Sequence, residues 1–232
     1  NPSGGEFVDQ KGQPLAGERQ RFRRLSDFKA GSREQLCHGD VGDVLAHQDT
    51  YFTKPEVAYR PFFNRLGRFL SAVHNQATES DPLLPFTNGV ISRAKELYKY
   101  AHLDIVKCAT GRPWNVLSGR EKQQLPENCS GYLEQQLHGQ SGLRLILING
   151  RTAFEHCNKF LADKLDYRPT EHTFHMGGVT SNVWSGRIRA NKSDVGVVEW
   201  SPNVVNGHVS ESQLGTLVEI VRREVSQILE RS

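Results

Sequence analysis

The run LRLILIN at residues 143–149 constrains the fold of this chain more than any other feature. It is short and apolar, Gly150 follows it, and the next segment, RTAFEHCNKFLADKL, predicts a helix. A short apolar run bounded by a turn signal is typical of a strand that is buried on both faces. Similar runs predict three further strands, at 43–49, 103–108 and 194–201.

Predicted helices separate these strands. The charged segment 18–29 predicts one helix, and apolar side chains at helical spacing from Phe62 to Val73 predict another. Ser210 and Gln213 form a capping-box pair that predicts the start of the last helix. Two more helices are predicted at 125–137 and 151–165.

Alternation of buried strands and helices predicts an α/β fold with three α/β/α layers around a central, mostly parallel four-stranded sheet. In such sheets ligands bind beyond the carboxyl ends of the strands. Four residues fall at or near such ends, namely Asp49, Asp104, Gly150 and Ser201. We therefore expect the functional site at that edge.

Length and composition indicate a globular protein. The chain has 232 residues, of which 37% are hydrophobic and 24% charged, and it has no apolar run near the ~20 residues of a membrane span. The polar start has no signal-peptide pattern. We interpret 1–15 as a disordered lead-in or a cloning remnant, and 16–232 as one domain without an internal linker.

Charge and cysteine content suggest partner and compartment. The net charge is +3, and basic residues cluster at 21–24, 187–192 and 222–223. Such clusters are usually solvated surface, but they also tolerate a polyanion. Four cysteines without a CxxC pair are typical of a reduced compartment. We expect a cytoplasmic protein, in the bacterial cytosol or nucleoid.

The segment VLAHQDTYF, with Gln48, Asp49 and Tyr51, resembles the water-activating motif ILGQDPYH of the uracil-DNA glycosylases. Phe62 in YRPFFN lies thirteen residues after Asp49, as a base-stacking phenylalanine does in that superfamily. LDIVKC, LPENCSGYLEQQL and LILINGRTAFE then follow in the order of the thermophilic branch. The resemblance covers 42–165, and the HPS loop of the family corresponds at best to WSPN at 200–203.

The resemblance implies a monofunctional DNA glycosylase that extrudes a pyrimidine and hydrolyses its N-glycosidic bond without a cofactor. Asp49 would stabilise the cation-like sugar and position water, Phe62 would stack on the base, and Tyr51 would exclude thymine. Gln48 would contact a base oxygen. From the residues alone, Asp49 could equally cap a turn, Tyr51 could be a rim residue, and Phe62 a core residue.

The resemblance also implies DNA contacts. Ser201 and Asn203 would lie on the loop that enters DNA, with Val204 and Val205 as apolar wedges. Alternatively, this loop could be an ordinary turn between two elements. The phosphates would be bound by the basic clusters, including Arg187, Arg189 and Lys192. We expect DNA as the partner and a monomer.

Three departures from the family bear on chemistry. Asp104 replaces the asparagine that reads uracil, and a neutral Asp104 would favour a cytosine-type edge of a damaged or modified pyrimidine. The histidine of HPS would fall on Glu199 or Trp200. Cys108 and Cys129 match cluster ligands, but no paired cysteines precede Asp49, so we expect no iron–sulfur cluster.

Two other motifs are weaker evidence for a function. His172 and His175 have the spacing of a metal-binding pair, but without a matching carboxylate or cysteine a pair of strand or solvent-facing histidines is the preferred interpretation. NGRTA lacks the lysine of a phosphate-binding loop. Two hypotheses therefore stand: a DNA glycosylase acting in repair or antiviral defence, or a glycosylase-like DNA-binding module without turnover.

Overall fold

The structure is a computed structural model. It describes residues 9, 11, 13, 15–20, 27, 28, 32, 35, 37–51, 54, 60–74, 114–138, 143–176, 179–190, 193–204 and 209–230. The predicted strand at 103–108 lies outside these residues, as do Asp104, Lys192 and Val205.

The chain divides into two compact units, each assembled from several stretches of sequence. Unit 1 comprises Asn1–Arg68, Thr78–His102 and Cys108–Val116. Unit 2 comprises Phe69–Ala77, Leu103–Lys107 and Leu117–Ser232. The single domain expected over 16–232 stays a prediction.

The regular secondary structure in the described part of unit 1 is helical. Helix α1 spans His38–Thr50, and helix α2, Arg60–Val73, begins in this unit. Short 3-10 turns occur at Gly17–Arg19 and Trp114–Val116. The apolar spacing between 62 and 73 correctly predicts α2, because one side of this helix is buried along most of its length.

The strand predicted at 43–49 is wrong, because these residues lie inside α1. Asp40 accepts a hydrogen bond from the Cys37 backbone N–H at 2.8 Å near the start of this helix. The apolar residues Val41, Val44 and Leu45 also have the i, i+3, i+4 spacing of a helix face. A short apolar run cannot distinguish a strand from a helix by period alone, and here the helix forms.

The helix predicted from residue 18 is also wrong at its start. Gly17–Arg19 is a 3-10 turn, and Gln20 is extended, with φ −82° and ψ 133°. Gln20 is buried, and its carbonyl oxygen lies 2.8 Å from Nε2 of His47 in α1. The extended backbone at Gln20 accompanies this tertiary contact, and tertiary context can override the helical propensity of a charged segment.

Unit 2 contains a four-stranded sheet in an α/β arrangement. Its strands are β1 (Leu145–Asn149), β2 (Thr170–Met176), β3 (Val179–Ala190) and β4 (Ser193–Trp200), in the order β1-β4-β3-β2. The runs at 143–149 and 194–201 therefore correctly predict two strands. Helices α3 (Gly119–His138), α4 (Arg151–Leu165) and α5 (Glu211–Glu230) confirm the three other predicted helices.

The expectation of a mostly parallel sheet is wrong. Among the described strands, β1 and β4 are the only parallel pair, whereas β4 with β3 and β3 with β2 are antiparallel. Two residues separate β2 from β3, and two separate β3 from β4. Such short connections allow only hairpins, because a parallel pair needs a crossover of a dozen or more residues. The polar character of residues 170–190 concealed both β2 and β3.

Helices cover both faces of this sheet. Val195 and Val197 of β4 cluster with Leu161 of α4 and with Leu133 of α3. A Cβ atom at Gly196 would meet Ile228 of α5. Because neighbouring strand residues point to opposite faces, α5 lies across the sheet from α3 and α4. Burial on both faces explains why residues 195–198 of β4 carry no polar side chain.

In the described part of the chain, no helix combines the length and apolarity required to cross a membrane.

Candidate functional site

The carboxyl ends of the parallel strands β1 and β4 form an edge that several polar residues share. Asn149 ends β1 and pairs with Trp200, the last residue of β4. Gly150 and Arg151 follow Asn149, and Ser201 and Asn203 follow Trp200. The parallel pairing therefore brings together two sequence segments about 50 residues apart. We call this group the β1–β4 edge.

Asn149 organises the β1–β4 edge. Its side-chain oxygen accepts hydrogen bonds from the Trp200 indole N–H at 3.0 Å and from the Val204 backbone N–H at 3.1 Å. Its side-chain nitrogen donates to Oδ1 of Asn203 at 3.3 Å. One amide thereby fixes the loop after β4 against the end of β1.

Gly150 makes the turn from β1 into α4. Its φ is +93°, a conformation that L side chains rarely adopt, and a Cβ atom there would lie 3.1 Å from Cβ of Asn203. Its N–H donates to the Trp200 carbonyl at 3.0 Å, and the Arg151 N–H donates to the Ser201 carbonyl at 2.9 Å. Glycine therefore permits the close approach of the two segments.

Ser201 also contacts β3. Its backbone N–H donates to the Asn182 carbonyl at 3.1 Å, and its hydroxyl accepts from the Asn182 backbone N–H at 3.2 Å. Ser201 and Asn203 remain partly accessible. The loop is thus held by backbone and side-chain hydrogen bonds while two polar residues stay within reach of a ligand.

The two residues that could correspond to the family histidine are both buried. Trp200 is 1% exposed, and its ring packs on Phe69 with centroids 5.1 Å apart. Glu199 is 0% exposed and points to the opposite face of the sheet. Neither side chain reaches the accessible surface of the β1–β4 edge.

Glu199 has an unusual environment. Burial raises its pKa to about 7, and the nearby Tyr167 hydroxyl offsets part of this increase. Burial and the neighbouring Glu199 carboxyl group together raise the pKa of Tyr167. Among the described residues, no group has ordinary hydrogen-bond geometry to the Tyr167 hydroxyl or to either oxygen of Glu199. The carboxyl group is therefore neutral over the range in which ordinary glutamates ionise.

The residues of the QDTY segment lie in unit 1. Gln48 and Asp49 belong to the last turn of α1, and their side chains lie outside the described part of the structure. Tyr51 follows α1, is 1% exposed, and lies at a tilt to His47 with ring centroids 6.2 Å apart. Phe62 is half-buried on α2 and packs edge-on against Phe63, with centroids 5.0 Å apart.

The predicted DNA contacts in unit 2 differ in accessibility. Val204 is 0% exposed, so its side chain is not presented as a wedge in this structure. The Arg187 guanidinium donates to the Ile228 carbonyl near the end of α5. Arg189 is exposed. Surface that a DNA strand could contact therefore remains on Arg189 and on the partly exposed residues Arg187, Ser201 and Asn203.

His172 and His175 both lie in β2, which confirms the preferred interpretation of this pair as strand residues. An odd separation along a strand puts them on opposite faces of the sheet. The described residues contain no group of three or more histidine, cysteine, aspartate or glutamate side chains that could hold a metal ion.

Sequence reasoning assigned no role to Asn149, Ser185 or Glu224. Asn149 could have been noticed as the polar last residue of the clearest apolar run. Glu224 lies three residues after Val221 and four before Ile228, so it interrupts the apolar stripe of α5. A charged residue at such a position signals a buried polar contact.

Comparison of the chain with known protein families, with curated proteins and with solved structures gives no match.

Proposed function

We propose that this chain is a monofunctional DNA glycosylase, which hydrolyses the N-glycosidic bond of a flipped uracil or of a damaged or modified pyrimidine. The proposal includes a glycosylase-like three-layer α/β/α arrangement, DNA as the macromolecular partner and action as a monomer in the cytoplasm. No cofactor is required, because water is the nucleophile.

The geometry of the β1–β4 edge carries this proposal. NGRTA and WSPN are segments of the resemblance that the described residues contain in full, and they are distant in sequence. They lie side by side, since Arg151 donates to the Ser201 carbonyl at 2.9 Å and Asn149 contacts Asn203 at 3.3 Å. A ligand site at this position is typical of the carboxyl ends of parallel strands.

Electrostatics at this edge favour a phosphate. Helix α4 is 15 residues long and begins at Arg151, directly beside the loop that carries Ser201. The amino end of a helix has a partial positive charge and attracts anions. A hydroxyl and an amide from Ser201 and Asn203 suit hydrogen bonding to a phosphate or to a base edge.

The chemical roles follow the resemblance. As the glycosidic bond breaks, the sugar becomes cation-like and the base leaves as an anion. Asp49 would stabilise the cation and orient the attacking water, while Phe62 would stack on the extruded base. Tyr51 would limit the 5-position of the ring, and Asp104 would read its polar edge.

A second candidate function is a DNA-binding module without turnover. The burial of both Glu199 and Trp200 favours it, because neither can supply the electrophile that the family histidine provides. Retention of an acid at position 49 favours the enzyme. The two functions differ in product formation but not in DNA binding.

An excision assay on oligonucleotides that each carry one altered pyrimidine separates the two. We expect Asp49→Asn to lower base release by at least about 100-fold, the scale for loss of a positioned catalytic carboxylate. Asp43→Asn is the matched control, because Asp43 is an exposed residue of the same helix. Its excision rate should stay within about two-fold of the unmutated chain, as for a surface substitution.

Binding of the same oligonucleotides should be equal in all three proteins. If the unmutated chain binds them but releases no base, the binding module is correct. Equal excision by Asp49→Asn and the unmutated chain would remove Asp49 from the mechanism.

A further inference from the structure

A small cavity lies under α5, on the opposite face of the sheet from α4. Its volume is about 180 Å³. Side chains from three elements line it: Thr170 of β2, Ser185 and Arg187 of β3, and Glu224 and Gln227 of α5. Drug-sized ligands need about 300–1,000 Å³, so this cavity suits a molecule of about one ring.

One wall of the cavity carries a hydrogen-bond acceptor, the carboxylate of Glu224. The Ser185 hydroxyl donates to Oε2 of Glu224 at 2.9 Å, and Nε2 of His172 lies 3.2 Å from that hydroxyl and 3.3 Å from Oε2. Ser185 donates its only hydroxyl proton to Glu224. A proton on Nε2 of His172 can then be donated to the Ser185 oxygen and to Oε2 of Glu224. Arg223 contacts the other oxygen at 3.2 Å.

These contacts hold the Glu224 side chain in place, and the side chain is only 5% exposed. A buried carboxylate normally requires such partners, and an apolar residue at this position of α5 would pack without them. Packing of α5 on the sheet does not need these polar contacts around Glu224. Their effect is to fix a hydrogen-bond acceptor at the cavity wall.

Donors lie on the remaining walls. Gln227 and Thr170 are exposed residues with an amide and a hydroxyl, each able to donate. The Arg187 guanidinium is anchored on the Ile228 carbonyl at the negative end of the α5 dipole. The positive charges of Arg187 and Arg223 oppose the negative charges of Glu224 and the helix end, so an ion of either sign would meet like charge at the cavity.

We propose that this cavity binds a small uncharged molecule in which an N–H donor and a carbonyl acceptor are adjacent, such as a simple amide or a cyclic ureide. The N–H would face Glu224, and the carbonyl would face Thr170 and Gln227. This site is separate from the β1–β4 edge, since Ser185 pairs with Val198 rather than with the end of β4. The inference does not rest on glycosylase activity.

Titration of the ¹⁵N-labelled full chain with uracil, followed by NMR, tests this proposal. We expect saturable shifts at the backbone amides of Ser185, Gly186 and Arg187. The related compound 1,3-dimethyluracil has the same ring and carbonyls but no N–H, so it should produce no saturable shifts there. Inorganic phosphate and guanidinium are the charged controls and should also fail to saturate these shifts.

A pair of variants locates the ligand. Thr170→Val removes a hydroxyl from the cavity wall, and we expect about five-fold weaker binding of uracil, the scale of one lost hydrogen bond. Thr173→Val makes the same change at an exposed residue of the same strand outside the cavity, and binding should be unchanged. Both positions are exposed, so both variants should fold.

Three results would overturn the inference: no saturable shift with uracil, equal binding of 1,3-dimethyluracil, or equal affinity in both threonine variants. Saturable shifts confined to Asn149, Gly150 and Ser201 would also overturn it, because uracil would then bind at the β1–β4 edge. That last outcome would support the proposed glycosylase site, whereas failure of excision alone leaves the cavity result unaffected.

Discussion

Two neighbouring residues, Asn149 and Gly150, hold the loop after β4 in unit 2. Asn149 uses its amide on three different partners, and Gly150 adopts a backbone conformation that a Cβ atom would strain. Each of these residues holds the loop after β4 against the end of β1. Their role is to pre-organise the edge that we propose as the ligand site.

Glu199 gives a testable prediction for a single residue, the dependence of stability on pH. Its pKa in the folded chain is about 7, against 4.5 for the ordinary side chain. Between these values the unfolded chain has lost the proton while the folded chain keeps it, so the free energy of unfolding falls as pH rises from 4.5 to about 7. Above pH 7 both states are ionised, and the loss stays constant.

We expect this loss to total about 3 kcal/mol, the equivalent of the pKa difference. Glu199→Gln keeps the size of the side chain but cannot ionise. The free energy of unfolding of this variant should therefore not show this fall with rising pH. Urea unfolding of both proteins between pH 4.5 and 8 measures the difference at each pH. Parallel curves for the two proteins would show that Glu199 ionises normally in the folded chain.

At the scale of elements, α5 begins as its capping-box pair predicts. The Ser210 backbone N–H donates to Oε1 of Gln213 at 2.9 Å, and the Gln213 backbone N–H donates to Oγ of Ser210 at 3.3 Å. The two residues thus satisfy donors that a helix start leaves without intrahelical partners. Because α5 packs on β4 and β3, its start also affects the packing of β4.

We expect Ser210→Ala to lower the free energy of unfolding by about 1 kcal/mol, the usual effect of losing a cap. Ser226→Ala is the control, since Ser226 is exposed in the interior of the same helix and alanine is the better helix former there. Thermal unfolding should rank Ser226→Ala at or above the unmutated chain and Ser210→Ala below it. A reversed rank would mean that the cap contributes nothing.

Helix α1 illustrates the limit of reasoning from short apolar runs. The segment 43–49 satisfies a strand pattern by its length, and together with Val41 it satisfies a helix pattern by its spacing. Local sequence does not separate these possibilities, and contacts from distant residues decide between them. Here the contact between His47 and the Gln20 carbonyl ties the helix to the preceding chain.

At the scale of the whole molecule, the distribution of positive charge predicts how DNA is bound. We expect affinity to fall steeply with salt, because lysine and arginine contacts release counterions from the phosphates. Arg189→Glu should weaken binding to all sequences alike and reduce the slope of log affinity against log salt by about one. Fluorescence anisotropy at several salt concentrations measures both quantities.

The control for this experiment is Arg168→Glu, which changes the net charge by the same amount. Arg168 is exposed, but it is paired with Asp166 at 2.9 Å in a surface ion pair. Its variant should change affinity much less than Arg189→Glu. Equal effects of the two variants would mean that total charge, and not the cluster at 187–192, governs DNA binding.

The sequence alone determined the elements whose side-chain period is strong and long. Residues 62–73, 151–165 and 211–230 repeat apolar side chains over several turns, and 143–149 and 194–201 are apolar on both faces. Such patterns indicate both the element and its buried side, because burial of those residues is the main favourable contribution to folding. The meeting of Gly150 and Ser201 at a strand edge followed from the same reasoning.

Only the tertiary structure decided the sheet topology, the helical state of 43–49 and the cluster around Glu224. Strands β2 and β3 are polar in sequence, and they become strands because β3 pairs with β4 and β2 pairs in turn with β3. Ser185 and Glu224 lie 39 residues apart and meet only when α5 packs on the sheet. Contacts between residues so distant depend on the packing of whole elements, and no local pattern contains that information.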